Sequence, residues 1–129
     1  MSNSLKLAVV TGASSGIGAA TATLFANNGY QVIAGARRLD RLQALAATNP
    51  NIEVHELDVT NQDSVDNFVK ELNGRVVDVL INNAGIDGGA YKSLSASEET
   101  YDKVMGINAK GTWNVTKTFF RKMKSQRHF

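Results

Sequence analysis

The stretch VVTGASSGIGAATATLF, Val9–Phe25, sets three glycines between a short apolar run and a helical pattern. Read as strand, tight turn and helix, it leaves several backbone N–H groups unpaired and aimed at one point. That point lies at the positive end of the helix dipole, so it is an anion seat suited to a pyrophosphate. Gly12 is expected to take a turn conformation closed to residues with a Cβ. Gly16 would let phosphates approach the backbone, and Gly18 would let the helix pack close to the first strand. Ser14 and Ser15 add hydroxyl donors. The spacing Gly-x-x-x-Gly-x-Gly differs from the commoner Gly-x-Gly-x-x-Gly. On glycine count alone, a tight strand–helix connection without a ligand is an open alternative. The position directly after the first strand and at the opening of the first helix favours nucleotide binding.

Outward from this turn the chain alternates. LKLAVV is a short apolar strand ending at Thr11, and the helix from Gly16 to Asn28 closes with Gly29 as its C′ glycine. QVIAGA reads as a second buried strand. Apolar Leu42, Leu45 and Ala46 then recur at helical spacing from Leu39 until TNP stops them. NIEVHEL alternates as a third strand, and Thr60 or Asn61 can cap a helix whose stripe is Val65, Phe68, Val69 and Leu72. VVDVLINNAG, apolar on both faces, is a fourth strand. A glycine-rich loop follows, then a long last helix starting near Ser95 or Ser97, with Glu98 suited to a capping box. Strands separated by helices require crossovers, which predicts a doubly wound α/β fold: a parallel sheet of about four strands with helices on both faces.

Composition narrows the function classes. The 129 residues are 43% hydrophobic and 20% charged with a formal charge of +2, ordinary for a globular domain and too mild to imply nucleic acid or membrane as partner. The basic cluster Lys117, Arg121, Lys122, Lys124 and Arg127 reads as a solvated helix end favoured by the dipole. The absence of cysteine excludes disulfides, thiolate catalysis and Cys-ligated metal. His55 and His128 are the only histidines, and nothing in the pattern brings them together, so no metal site is expected. No signal-peptide pattern or membrane-length apolar window is visible, and a cytoplasmic location is the expectation.

TGASSGIG at Thr11–Gly18, LDVT at Leu57–Thr60, NNAG at Asn82–Gly85 and NAKGTWNVT at Asn108–Thr116 occur in this order. Together they resemble the signatures of the short-chain dehydrogenase/reductase family, from Leu7 to about Met123. The resemblance implies a single Rossmann-type NAD(P)-binding domain. It implies that Gly12, Ser14, Ser15, Gly16, Ile17 and Gly18 seat the cofactor, that Asp58 and Val59 border its adenine ring, and that Asn83, Ala84 and Gly85 line the nucleoside side. For Asp58, a turn cap ahead of Thr60 is an equally open reading. In NAD-binding relatives of this fold an acid ends the second strand. Here Ala36 stands in that place, followed by Arg37 and Arg38, with no carboxylate before Asp40. Guanidinium suits a 2′-phosphate, and an arginine just after this position marks NADP preference in the family. NADP rather than NAD is therefore expected, with Arg37 as the first phosphate contact and Arg38 the second.

Tyr101, Val104, Met105, Asn108, Thr112, Val115 and Phe119 fall on one helical face, so Asn108 is expected on a buried stripe. The resemblance assigns Asn108 to the family's Asn-Ser-Tyr-Lys catalytic tetrad, where it holds a slight irregularity in the helix and a water. The rest of the tetrad is missing. Tyr30, Tyr91 and Tyr101 are followed four places on by Ala34, Ser95 and Met105, so no Tyr-x-x-x-Lys occurs. The expectation is thus the cofactor-binding half of an NADP(H)-dependent carbonyl or alcohol oxidoreductase, ending before a fifth strand and inactive alone. The fourth strand, central in the family's sheet order, would become an edge. Assembly as a homo-oligomer or with a complementary fragment would repair that, and a small-molecule carbonyl or alcohol would be the substrate. The alternative is a non-catalytic NADP(H)-binding or regulatory protein.

Overall fold

The computed structural model describes residues 5–14, 16–85 and 97–126. Four strands, β1 (Leu7–Thr11), β2 (Gln31–Ala36), β3 (Ile52–Glu56) and β4 (Val79–Ile81), form one parallel sheet in the order β3-β2-β1-β4. The chain runs outward from β1 to β3 and then crosses back to place β4 on the other side of β1. This puts a topological switch point between β1 and β4, the place where open α/β sheets bind their ligands.

The helices α1 (Gly16–Asn27) and α2 (Leu39–Ala46) cover one face of the sheet, and α3 (Gln62–Lys70) and α5 (Thr112–Ser125) cover the other. Alternation within β1 and β2 sorts the core. Val9 and Ile33 join Phe68, Leu72, Val115 and Phe119 under α3 and α5; Val10, Val32 and Ala34 join Ala22, Ala26 and Leu42 under α1 and α2. Both faces of the central strands are covered, which is why they read as continuous apolar runs.

Local signals terminate the elements as expected. Gly29, at φ +87°, ends α1: its N–H donates to the Ala26 carbonyl and the Tyr30 N–H to the Phe25 carbonyl. This is a Schellman closure, sealed by edge-to-face contact of the Phe25 and Tyr30 rings at 4.8 Å. Asn61, not Thr60, caps α3 by accepting the Ser64 N–H at 3.2 Å.

The second half departs from the expected pattern in three places. β4 forms only at Val79–Ile81 rather than along all of VVDVLINNAG. The Val77 N–H donates to the Gln126 carboxamide, whose Nε2 donates back to the Val77 carbonyl, and the Asn83 and Ala84 N–H groups go to the Thr11 hydroxyl. Backbone groups satisfied by side chains do not enter the ladder.

The last helix is not one continuous stripe. It starts as α4 (Glu98–Met105), passes through a π-helical segment, Gly106–Gly111, and continues as α5. Its cap is Ser97, whose hydroxyl accepts the Thr100 N–H, so Glu98 is the first helical residue rather than the third of a capping box. The wider π turn shifts the helical phase. Ile107, Gly111, Asn114, Val115 and Phe119 are buried, while Tyr101, Met105 and Asn108 are exposed. The buried asparagine of this helix is therefore Asn114, not Asn108.

Candidate functional site

The C-terminal ends of β1, β2 and β4 and the loop after β3 enclose a cleft of about 420 Å³ at the switch point. It opens where the glycine turn leads into α1, so the first helix points its N-terminus at the cleft. Gly12, Ser14 and Ile17 line one side, Arg37, Arg38, Asp58 and Val59 another, and Asn83, Ala84 and Gly85 a third. Ten expected cofactor residues from four separate chain segments thus converge on one space. Gly16 and Gly18 lie at the turn but outside the lining, and Ser15 lies outside the described residues.

The turn is locked to the tail of β4. Thr11, fully buried, accepts the Asn83 and Ala84 N–H groups on its Oγ1, each at 3.0 Å. The Asn83 Nδ2 donates to the Gly12 carbonyl at 3.3 Å. Gly12 has φ +65°, and a Cβ there would sit 2.8 Å from the Ala84 Cα. A Cβ on Gly18 would fall against the Gly12 carbonyl oxygen, so α1 reaches this close to β1 only with glycine. Gly16 also holds a positive φ, +60°, but faces open space. These are the two conditions of a phosphate cradle: a backbone turned to expose N–H groups, and no side chain in front of it.

The two arginines separate in role. Arg38 is bound to Asp40 in the first turn of α2, Nη2 to Oδ2 at 3.2 Å and Nε to Oδ1 at 3.3 Å. The Arg38 guanidinium holds the Asp40 carboxyl below the usual carboxylate range. Arg37 is exposed on the cleft rim, and its side chain has no hydrogen-bond or ion-pair partner among the described residues. Asp58 does what a turn cap does: its Oδ1 accepts from the Thr60 N–H at 3.0 Å and the Thr60 hydroxyl at 2.6 Å. It lines the cleft as well.

Asn108 stands third in the π-helical segment, and its Oδ1 lies 3.2 Å from where a Gly85 Cβ would be. The helix irregularity is therefore present at this residue, although its expected burial is not. Ile107, which also lines the cleft, is absent from the sequence reading; Ala36, Leu57, Thr11 and Asn114 stand in or beside its motifs but have no contact role there. Among the described residues the lining holds no tyrosine, lysine or histidine, and no cluster of metal-ligating side chains occurs. No described helix is long and apolar enough to cross a membrane.

The family model described as short chain dehydrogenase matches residues 6–128. The chain belongs to that family. Among curated short chain dehydrogenases, the 3-oxoacyl-[acyl-carrier-protein] reductase FabG of Thermotoga maritima is 40% identical over 130 residues, covering 95% of this chain and 52% of that protein. Among solved structures, an alcohol dehydrogenase from the archaeon Thermococcus sibiricus complexed with 5-hydroxy-NADP superposes with a TM-score of 0.85 at 36% identity, covering 95% of this chain and 55% of that one. A 3-ketoacyl-(acyl-carrier-protein) reductase from Brucella melitensis complexed with NADH gives a TM-score of 0.89 at 29% identity, covering 97% and 53%. The chain spans about half the length of these short chain dehydrogenases.

Proposed function

We propose that the cleft seats a nicotinamide dinucleotide, NADP(H) in preference to NAD(H), as the cofactor site of a carbonyl or alcohol oxidoreductase. The observation that carries the proposal is the convergence, in one cleft, of the locked glycine turn, the Asn83–Gly85 tail and the Arg37 guanidinium, which has no acidic partner among the described residues. The residues fit the group. The N-terminus of α1 and the positive-φ glycines offer N–H donors to a pyrophosphate. Val59, Leu57 and Ala36 offer apolar contact to a base, and Asn83–Gly85 line the ribose side.

Solved relatives hold both forms, one with 5-hydroxy-NADP and one with NADH. Preference here rests on the rim. Ala36 ends β2 where a ribose-binding carboxylate would repel a 2′-phosphate, Arg37 offers a planar fork to its oxygens, and Arg38 is already engaged by Asp40. Asn108, beside Gly85 on the π-helical segment, orders water at the reacting end, as its family counterpart does.

When bound, the cofactor supplies a hydride. Reduction of a carbonyl also requires a proton donor, and none of the three tyrosines precedes a lysine by four positions. The proposal for these residues is therefore cofactor binding, with hydride transfer proposed where the cleft is joined to such a donor. The second reading is a non-catalytic NADP(H)-binding protein, which uses the same cleft.

Titration of the full chain with NADPH tests the shared core of both readings. One saturable site, displaced more strongly by adenosine 2′,5′-bisphosphate than by ADP, is expected. A folded chain that binds neither compound overturns both. Saturable binding together with reductase activity in the unaltered material rejects the second reading.

A further inference from the structure

One buried polar contact holds the cleft wall from behind. Asn114, 3% exposed, donates its Nδ2 to the Val59 carbonyl at 3.0 Å. Val59 lines the cleft, and its side chain occupies the space that Gly111 leaves on the π-helical segment: a Gly111 Cβ would meet Val59 Cγ2 at 2.5 Å.

The loop that carries Val59 is shaped by local bonds. The Leu57 N–H donates to the Ala36 carbonyl, the Asp58 N–H to the Ser64 hydroxyl, and Thr60 to the Asp58 carboxylate. These bonds set the curve of the loop but not its depth against α5. Against α5, the loop is held by the Asn114 bond and by the packing of Val59 at Gly111. One turn further along α5, Thr118 accepts from the Gln62 Nε2 at 3.1 Å and donates to the Asn114 carbonyl at 2.8 Å, which holds the start of α3 to the same helix face.

We propose that Asn114 is a positioning residue for the base-binding wall, setting the depth of Val59 and so the affinity for the adenine end of the cofactor without touching it. The proposal rests on the reading of the cleft as a dinucleotide seat. A buried carbonyl that loses its donor moves toward a new partner, and the side open to water is the cleft. Val59 then intrudes on the space a base would fill.

The test is calorimetric titration of the full chain with adenosine 2′,5′-bisphosphate and with NADPH. In Asn114→Ala both dissociation constants rise by the same factor, about tenfold for one buried hydrogen bond lost. Asn114→Ser, which keeps a polar side chain too short to reach Val59, gives the same pattern if the alanine variant does not fold. A merely structural role lowers the melting temperature and leaves the fragment affinity of the folded chain within twofold; that result overturns the proposal. A loss larger for NADPH than for the fragment overturns it too, because the damage then lies at another part of the cleft. Binding of neither compound by the unaltered chain removes the cofactor reading itself, and this inference with it.

Discussion

Replacing Gly12 with alanine separates two reasons for a glycine, and the structure gives a magnitude for each. Gly12 has φ +65°, which costs a residue with a Cβ about 1–2 kcal/mol. The new methyl would also lie 2.8 Å from the Ala84 Cα and 2.9 Å from the Ala84 N, both backbone atoms that no rotamer change can move. The tail after β4 must shift, and the bonds that hold it are the Asn83 and Ala84 N–H donations to Thr11. Weakening both adds about 1 kcal/mol each. The expected loss is about 3–4 kcal/mol, a large share of the roughly 5–15 kcal/mol typical of a domain.

Gly29→Ala supplies the reference. It has φ +87° but faces open space, so only the backbone term, about 1–2 kcal/mol, applies. Urea unfolding of the two variants, followed by circular dichroism, measures the difference. A Gly12→Ala loss equal to that of Gly29→Ala within about 0.5 kcal/mol refutes the claim that the turn is locked against the β4 tail.

Two further substitutions probe other contacts. Thr11→Val keeps the shape of the side chain and removes the acceptor of two N–H groups, so it should cost about 2–4 kcal/mol in the same assay. Thr11→Ser should recover most of it, and equal losses in both would contradict the hydroxyl's role. At the far end of the sheet, the Arg75 guanidinium is the main influence holding the Glu53 carboxyl below its ordinary value near 4.5, and a His55 hydrogen bond assists. A depressed folded-state value means the pair stabilises above about pH 4.5 and loses that contribution as pH falls through the lower folded value. Glu53→Gln should therefore flatten the acid limb of the stability curve. Both side chains are about a third exposed, at 34% and 37%, so solvent screening keeps the effect within about 1 kcal/mol.

Much of the architecture was legible because the signals were local. The strands alternate with helical stripes, Gly29 closes α1 as a C′ glycine must, and the glycine turn follows β1 directly. Three of the four motif segments, with the Arg37–Arg38 pair, meet in one cleft because the switch point between β1 and β4 gathers strand ends. What stayed hidden depended on partners distant in sequence. Asn114 bonds a carbonyl 55 residues away, so nothing near it distinguishes it from an exposed helix asparagine. Periodicity assumes a regular helix. It placed Asn108 on the buried face because it cannot see the π-helical segment that shifts the phase between Met105 and Thr112. The apolar run from Val76 overstated β4 for a related reason, since side chains of Gln126 and Thr11 claim the flanking backbone. The sequence ranks Arg37 ahead of Arg38 by position alone, and the pairing of Arg38 with Asp40 adds the physical difference between them.

The central claim, that this cleft seats a dinucleotide and reads its 2′-phosphate through Arg37, is tested by one comparison. Dissociation constants for NADPH and NADH are measured on the unaltered chain and on Arg37→Asp. NADPH binding should weaken by about 10- to 100-fold, as the loss of a charge-assisted hydrogen bond worth about 1.5–3 kcal/mol requires, while NADH binding changes little. An equal change for the two cofactors contradicts it.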